Sequence, residues 1–83
     1  MGNVIVLYRI LPDSPESFER VKKGLEGLKP DKMEEEPIAF GLKALKVTKV
    51  LPETPGVDEE FEKKLQSLPH VQSVEIVAVT RGL

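Results

Sequence analysis

The sequence predicts an α+β fold: a four-stranded antiparallel sheet with two helices on one of its faces. Three observations carry this. A β-branched run opens the chain from Val4 to Leu11, and apolar stripes at helical spacing follow at Phe18–Leu28 and Phe61–Leu68. Strand-like segments lie between and after the stripes. With 83 residues the chain has material for one domain, residues 1–83, with a single core and little room for a deep substrate cavity.

The elements follow in order. Val4 to Leu11 is apolar on both faces near its start and stops at Pro12, as a central strand would. Asp13-Ser14-Pro15-Glu16 supplies a capping side chain and a proline for the first helical turn. Phe18, Val21, Leu25 and Leu28 make the buried stripe, Glu16/Arg20 and Glu19/Lys23 are spaced to pair on the solvent side, and Lys29-Pro30 ends the helix. Lys32 to Glu36 is charged enough to be an edge strand, a place that tolerates Pro37. Leu42 to Leu51 reads as a strand between Gly41 and Pro52. Lysines interrupt both of its faces, so a bulge or strand end is expected there. Asp58 is expected to cap the second helix, with Phe61, Leu65 and Leu68 inward and Glu59/Lys63 and Glu60/Lys64 paired outside. After Pro69-His70 comes a last strand, Val71 to Thr80, in which Val74, Ile76 and Ala78 share one face. The order βαββαβ, with two right-handed crossovers, is the ferredoxin-like split βαβ arrangement.

Composition narrows the chemistry. A net charge of −2 gives no sign of a bulk nucleic-acid binder. Cysteine is absent, and one histidine cannot form a cluster, so disulfides, thiolate metal sites and nucleophilic thiols are excluded. No Gly-rich phosphate loop, nucleophile–base pair or zinc spacing is present, so no catalytic residue, metal or cofactor is expected. On a strand Glu34 and Glu36 share a face while Glu35 turns away, and all three read as a solvated edge. Acylphosphatase shares the topology, but no loop near the first strand could cradle a phosphate. RNA-binding domains need aromatics on both central strands, and only Tyr8 is available. Val4–Leu11 is interrupted by Arg9 and too short for a signal peptide or membrane span, so the expected location is the cytoplasm.

The most informative stretch is Glu35-Glu36-Pro37-Ile38-Ala39-Phe40-Gly41-Leu42. An aromatic between alanine and glycine has little local side chain to pack against, so Phe40 is either a plug for the core or a knob for a partner. Read from residues alone, Arg81 is a solvated near-terminal cation and Lys43, Lys46 and Lys49 a solvated strand edge. On that reading a ferredoxin-like interaction module or a small-molecule-binding regulatory module stays open.

The block from Glu35 through Leu45, followed by Val71-Gln72-Ser73-Val74-Glu75-Ile76 and a basic C-terminal residue, resembles the translation elongation factor 1-beta family in its archaeal form. There the chain is the guanine-nucleotide exchange domain. The resemblance implies an exchange factor that binds the GDP- and magnesium-bound form of the elongation factor 1-alpha GTPase and promotes GDP release. It implies a monomer with no direct nucleic-acid or membrane contact. It places Phe40 on the GTPase-contacting loop, with Pro37 and Gly41 shaping that loop and Lys43 beside it. It also sets Arg81 where eukaryotic members carry a lysine that reaches toward the magnesium site, and it counts Leu83 among the GTPase contacts. Here the residue is arginine, a planar fork of charge, and Gly82 adds a position before Leu83. The expectation is that the ring of Phe40 and the guanidinium of Arg81 converge at one end of the folded body.

Overall fold

The computed structural model describes residues 2–81. In chain order these form β1 (Asn3–Pro12), a 3-10 turn (Pro15–Ser17), α1 (Phe18–Glu26), β2 (Lys32–Pro37), β3 (Lys43–Pro52), α2 (Val57–Gln66) and β4 (Val71–Arg81). Every strand pair is antiparallel and the sheet order is β2-β3-β1-β4, the predicted ferredoxin-like arrangement.

The core is built from one face of β1 and β3 and the two helical stripes. Val6, Tyr8 and Ile10 of β1 and Leu45 and Val47 of β3 are essentially inaccessible to water. Phe18, Val21 and Leu25 of α1 and Phe61 and Leu65 of α2 close over them, with Leu28 and Leu68 packed at the margin. Tyr8 lies 5.4 Å from Phe61, ring centre to ring centre, and its hydroxyl donates to the Asp58 carbonyl at 3.1 Å, so its polar tip is satisfied. Burial, reinforced by the charges of Asp58 and Glu62, pushes the Tyr8 phenol up to about 12.

Several local expectations fail for physical reasons. No side chain caps α1. A 3-10 turn precedes it, and the Ser14 and Ser17 hydroxyls bond each other at 3.0 Å. Asp58 is not the cap of α2 but its second residue; the cap position is Gly56 at φ +79°, while Asp58, Glu59 and Glu60 line the positive end of the helix dipole. None of the four expected i,i+4 ion pairs forms among the described residues. Exposed pairs of that kind gain little over the freedom of two long side chains.

β3 runs without a bulge, because its lysines have places to go. Lys43 and Lys49 flank Leu45 and Val47 on the helix-side face, their ammonium groups 5.6 Å and 5.9 Å from the ring centres of Phe18 and Phe61. Lys46 faces the other way and meets Glu36 at 3.2 Å. The irregularities lie in β4 instead, where Val77 and Gln72 have no partner on β1. The extra residue at Val77 sets Ala78 opposite Leu7 on the uncovered face and Val79 opposite Val6 on the helix side, reversing the predicted alternation.

Candidate functional site

The loop between β2 and β3 is tight. Leu42 N–H donates to the Ala39 carbonyl at 2.9 Å, and Ile38 N–H donates to the Leu42 carbonyl at 2.9 Å. Phe40 and Gly41, the two central residues of that turn, have φ of +54° and +78°. Two positive φ angles inside an i→i+3 hydrogen bond are the signature of a type I′ turn, which favours Asn-Gly because other side chains are strained there. Gly41 meets this demand without a Cβ. Phe40 does not, and its backbone is held in a left-handed conformation that costs a bulky residue about 1–2 kcal/mol. Its ring is 99% exposed. The ring is therefore no plug for the core: a strained turn lifts a phenyl group fully into solvent. Ile38, 49% exposed, stands beside it.

Pro37 ends β2 and Lys43 begins β3, so the two form the neck of this loop. Lys43 Nζ rests over Phe18 and 3.6 Å from Glu35 Oε1. A shallow depression of about 210 Å³ opens at the foot of the loop, lined by Pro15, Phe18, Glu19, Gly41 and Lys43. Glu35 also accepts from Lys22 Nζ at 3.2 Å. That hydrogen bond, helped by the charges of Lys22 and Lys43, holds its carboxyl below the usual carboxylate range against partial desolvation.

Arg81 lies elsewhere. It pairs with Val4 at the end of β4, and Val4 in turn pairs with Leu51 near the end of β3. Lys43 and Leu51 are eight residues apart along that strand, which separates the two places by about 26 Å at 3.3 Å per residue. The body is 42 Å in its longest dimension. The expected convergence of ring and guanidinium is thus overturned: they stand at opposite poles. The cause is strand direction, since β3 starts at the Phe40 loop and runs away from it, and β4 runs the same way as β3. At its pole the Arg81 guanidinium, 75% exposed, is ion-paired with Glu53. A second depression, about 450 Å³, lies there between the β3–α2 connection, Val4, Val79 and Arg81. Leu83 and Gly82 fall outside the described residues.

Three acidic residues escaped the sequence reading. Glu53, read as part of a turn, holds Arg81, and only the register of β4 on β1 reveals it. Glu35 and Glu36, read as solvated, are each shared between two cations. Glu34 and Glu36 do share a face, as strand alternation requires. No group of three or more metal-ligating side chains occurs among the described residues.

Comparison with known proteins now bears on this geometry. A family profile described as the EF-1 guanine nucleotide exchange domain matches residues 5–81. The chain is 44% identical over 82 residues to the elongation factor 1-beta of Methanoculleus marisnigri, with 96% of this chain and 98% of that protein covered. It is 40% identical over 83 residues to the elongation factor 1-beta of Methanoregula boonei, with the same shares covered. Against that of Thermofilum pendens it is 41% identical over 88 residues, covering 98% of this chain and 97% of the relative. Matched from β1 to the last residue of β4, and related along nearly its whole length to archaeal elongation factors 1-beta, the chain belongs to the EF-1 guanine nucleotide exchange domain family.

Proposed function

We propose that this protein is a guanine-nucleotide exchange factor that binds the GDP- and magnesium-bound form of the elongation factor 1-alpha GTPase and speeds release of GDP during translation elongation. The single observation that carries the reading, beside family membership, is the Phe40 ring held out in water by a strained turn. Strain in a bulky residue persists where function uses it. A phenyl group with no contact at home is suited to a pocket on a partner.

An exchange factor breaks no covalent bond; it stabilises the nucleotide-free state of its partner. Coupling is reciprocal, so nucleotide rebinding expels the factor in the same proportion. Phe40 docks, with Gly41 and Pro37 fixing the loop and Lys43 at its neck. Arg81, with Leu83 beyond it, engages a second patch about 26 Å away, near the magnesium and phosphates. For that contact Arg81 exchanges the Glu53 carboxylate for an acidic or phosphate group on the complex.

The magnitudes suffice. Acceleration by about 10²–10⁴ requires about 3–5.5 kcal/mol. Burial of a phenyl ring contributes about 1.5–3 kcal/mol. A cation about 4 Å from another unit charge contributes about 4 kcal/mol at an effective dielectric of about 20, and roughly double that against a divalent ion.

The factor acts as a monomer in the cytoplasm, without direct nucleic-acid or membrane contact. No helix among the described residues is long and apolar enough to cross a membrane. The test is stopped-flow release of a fluorescent GDP analogue from purified elongation factor 1-alpha. Wild-type protein accelerates release; Phe40→Ala and deletion of residues 81–83 remove most of the acceleration. No acceleration by folded wild-type protein rejects the function, and full acceleration by both folded variants rejects the assigned contacts.

A further inference from the structure

Glu35 and Glu36 are the last two residues of β2 before Pro37 and the Phe40 turn, and opposite faces of the sheet hold them. On the uncovered face Glu36 Oε1 is 3.1 Å from Arg9 Nε and Glu36 Oε2 is 3.2 Å from Lys46 Nζ. The first contact is an ion pair rather than an aligned hydrogen bond, and Arg9 Nε is shut off from water. Arg9 belongs to β1, so this pair reaches across β3, and Arg9 Nη1 continues to Glu75 of β4 at 3.3 Å. Ala44, the β3 partner of Glu36, is fully buried although no helix covers its face. Its short side chain leaves the floor over which the Arg9–Glu36 pair can run. One charge network therefore ties all four strands together at the base of the hairpin. On the helix side Glu35 is held by Lys22 of α1 and by Lys43.

β2 needs such a hold. It is a six-residue edge strand, and Met33 is its one residue packed against the core. Isolated exposed ion pairs are weak, but carboxylates shared between two cations, one of them partly desolvated, form a network of the kind that does fix geometry. The turn beyond it keeps a bulky residue in a left-handed conformation, which lasts only where the surroundings over-determine it.

We propose that Glu36 with Arg9, and Glu35 with Lys22, are positioning residues that brace the β2–β3 hairpin and so present the Phe40 ring to the partner in one orientation. The inference rests on the exchange reading for its consequence, but not for its geometry. Its test has two arms. In the free protein, hydrogen exchange of the Leu42 and Ile38 amides should rise at least threefold in Glu36→Gln and in Glu35→Gln relative to the amides of β1. Glu62→Gln on α2 should leave them unchanged. In GDP-release assays Glu36→Gln should raise the half-saturating concentration about fivefold without changing the maximal rate, and should have no effect when added to Phe40→Ala. Unchanged loop amides overturn the proposal. So does a Glu36→Gln penalty of the same size in the Phe40→Ala background, because that residue would then act other than through the ring. If wild-type protein stimulates no GTPase, the exchange reading falls and the amide measurement alone decides the bracing.

Discussion

Replacing Phe40 with asparagine should make the protein more stable and less active. The residue occupies the first central position of a type I′ turn at φ +54°, where asparagine is favoured and a phenylalanine is strained. Its ring is almost wholly exposed, so removing it sacrifices no core packing. Relief of part of the left-handed backbone cost, about 1–2 kcal/mol for an ordinary residue, gives a gain of about 1 kcal/mol. In a chain of this size that raises Tm by about 4–8 °C. Activity moves the other way. If docking buries the ring, its loss forfeits about 1.5–3 kcal/mol, and at 1.36 kcal/mol per tenfold the half-saturating concentration rises about 10- to 150-fold. Thermal unfolding followed by circular dichroism reads the first effect, and stopped-flow GDP release the second. A variant less stable than wild type by about 1 kcal/mol would show that the ring supports the fold. A stabilised variant of undiminished activity would show that the ring is not the docking element.

Other expectations concern charge and protonation. Tyr8 is the single tyrosine and tryptophan is absent, so phenolate absorbance reports one group. In the native protein it should titrate near 12, and in denaturant near 10. Because the folded value is the higher, the phenol's contribution is intact below pH 10 and is lost as pH rises through 12. A native midpoint near 10 would contradict its burial. Glu35 is shifted the opposite way, chiefly by the Lys22 hydrogen bond, so its contribution is present above the ordinary value of 4.5 and fades as pH falls below it. Denaturant midpoints followed from about pH 6 to about pH 3 should therefore decline less steeply in Glu35→Gln than in wild type, and identical slopes would refute the pairing. Glu53→Gln frees the Arg81 guanidinium and should lower the half-saturating concentration for the GTPase about two- to fivefold, the range of an exposed pair. An increase would show that Glu53 aids the contact rather than competing for it.

The order of elements was legible because Phe18–Val21–Leu25 and Phe61–Leu65 keep a clean helical period and Val4–Leu11 is an apolar run broken by a single charge, Arg9. β3 was harder to read, since Lys43 and Lys49 lie on the core side of the strand. Only the positions of Phe18 and Phe61 in space explain how they are tolerated. Asp58 looked like a cap by residue type, but the chain turns two residues earlier at Gly56, where a left-handed backbone settles the matter. The exposure of Phe40 could not be decided from Ala39 and Gly41 alone, and the hydrogen bonds of a five-residue connection decide it. The separation of Phe40 from Arg81 could have been read from the fold itself: following strand directions through βαββαβ sends the end of β4 away from the β2–β3 turn. The bulge at Val77 left no mark in a stretch as uniform as Val74 to Val79.

That unmatched valine has a consequence for self-association. Val74-Glu75-Ile76-Val77-Ala78-Val79 on an outermost strand has the composition of a fibril-forming segment. Laid antiparallel against its own copy and centred on Ala78, a flat strand of this sequence would match valine to valine and set each glutamate 75 against an arginine 81. The additional residue between Tyr8's and Leu7's partners breaks that parity: Glu75 stands with Arg9 on one side of the sheet and Arg81 with Val4 on the other. The charge match of the zipper is thereby divided between two surfaces, which makes the border strand a poor template for its twin.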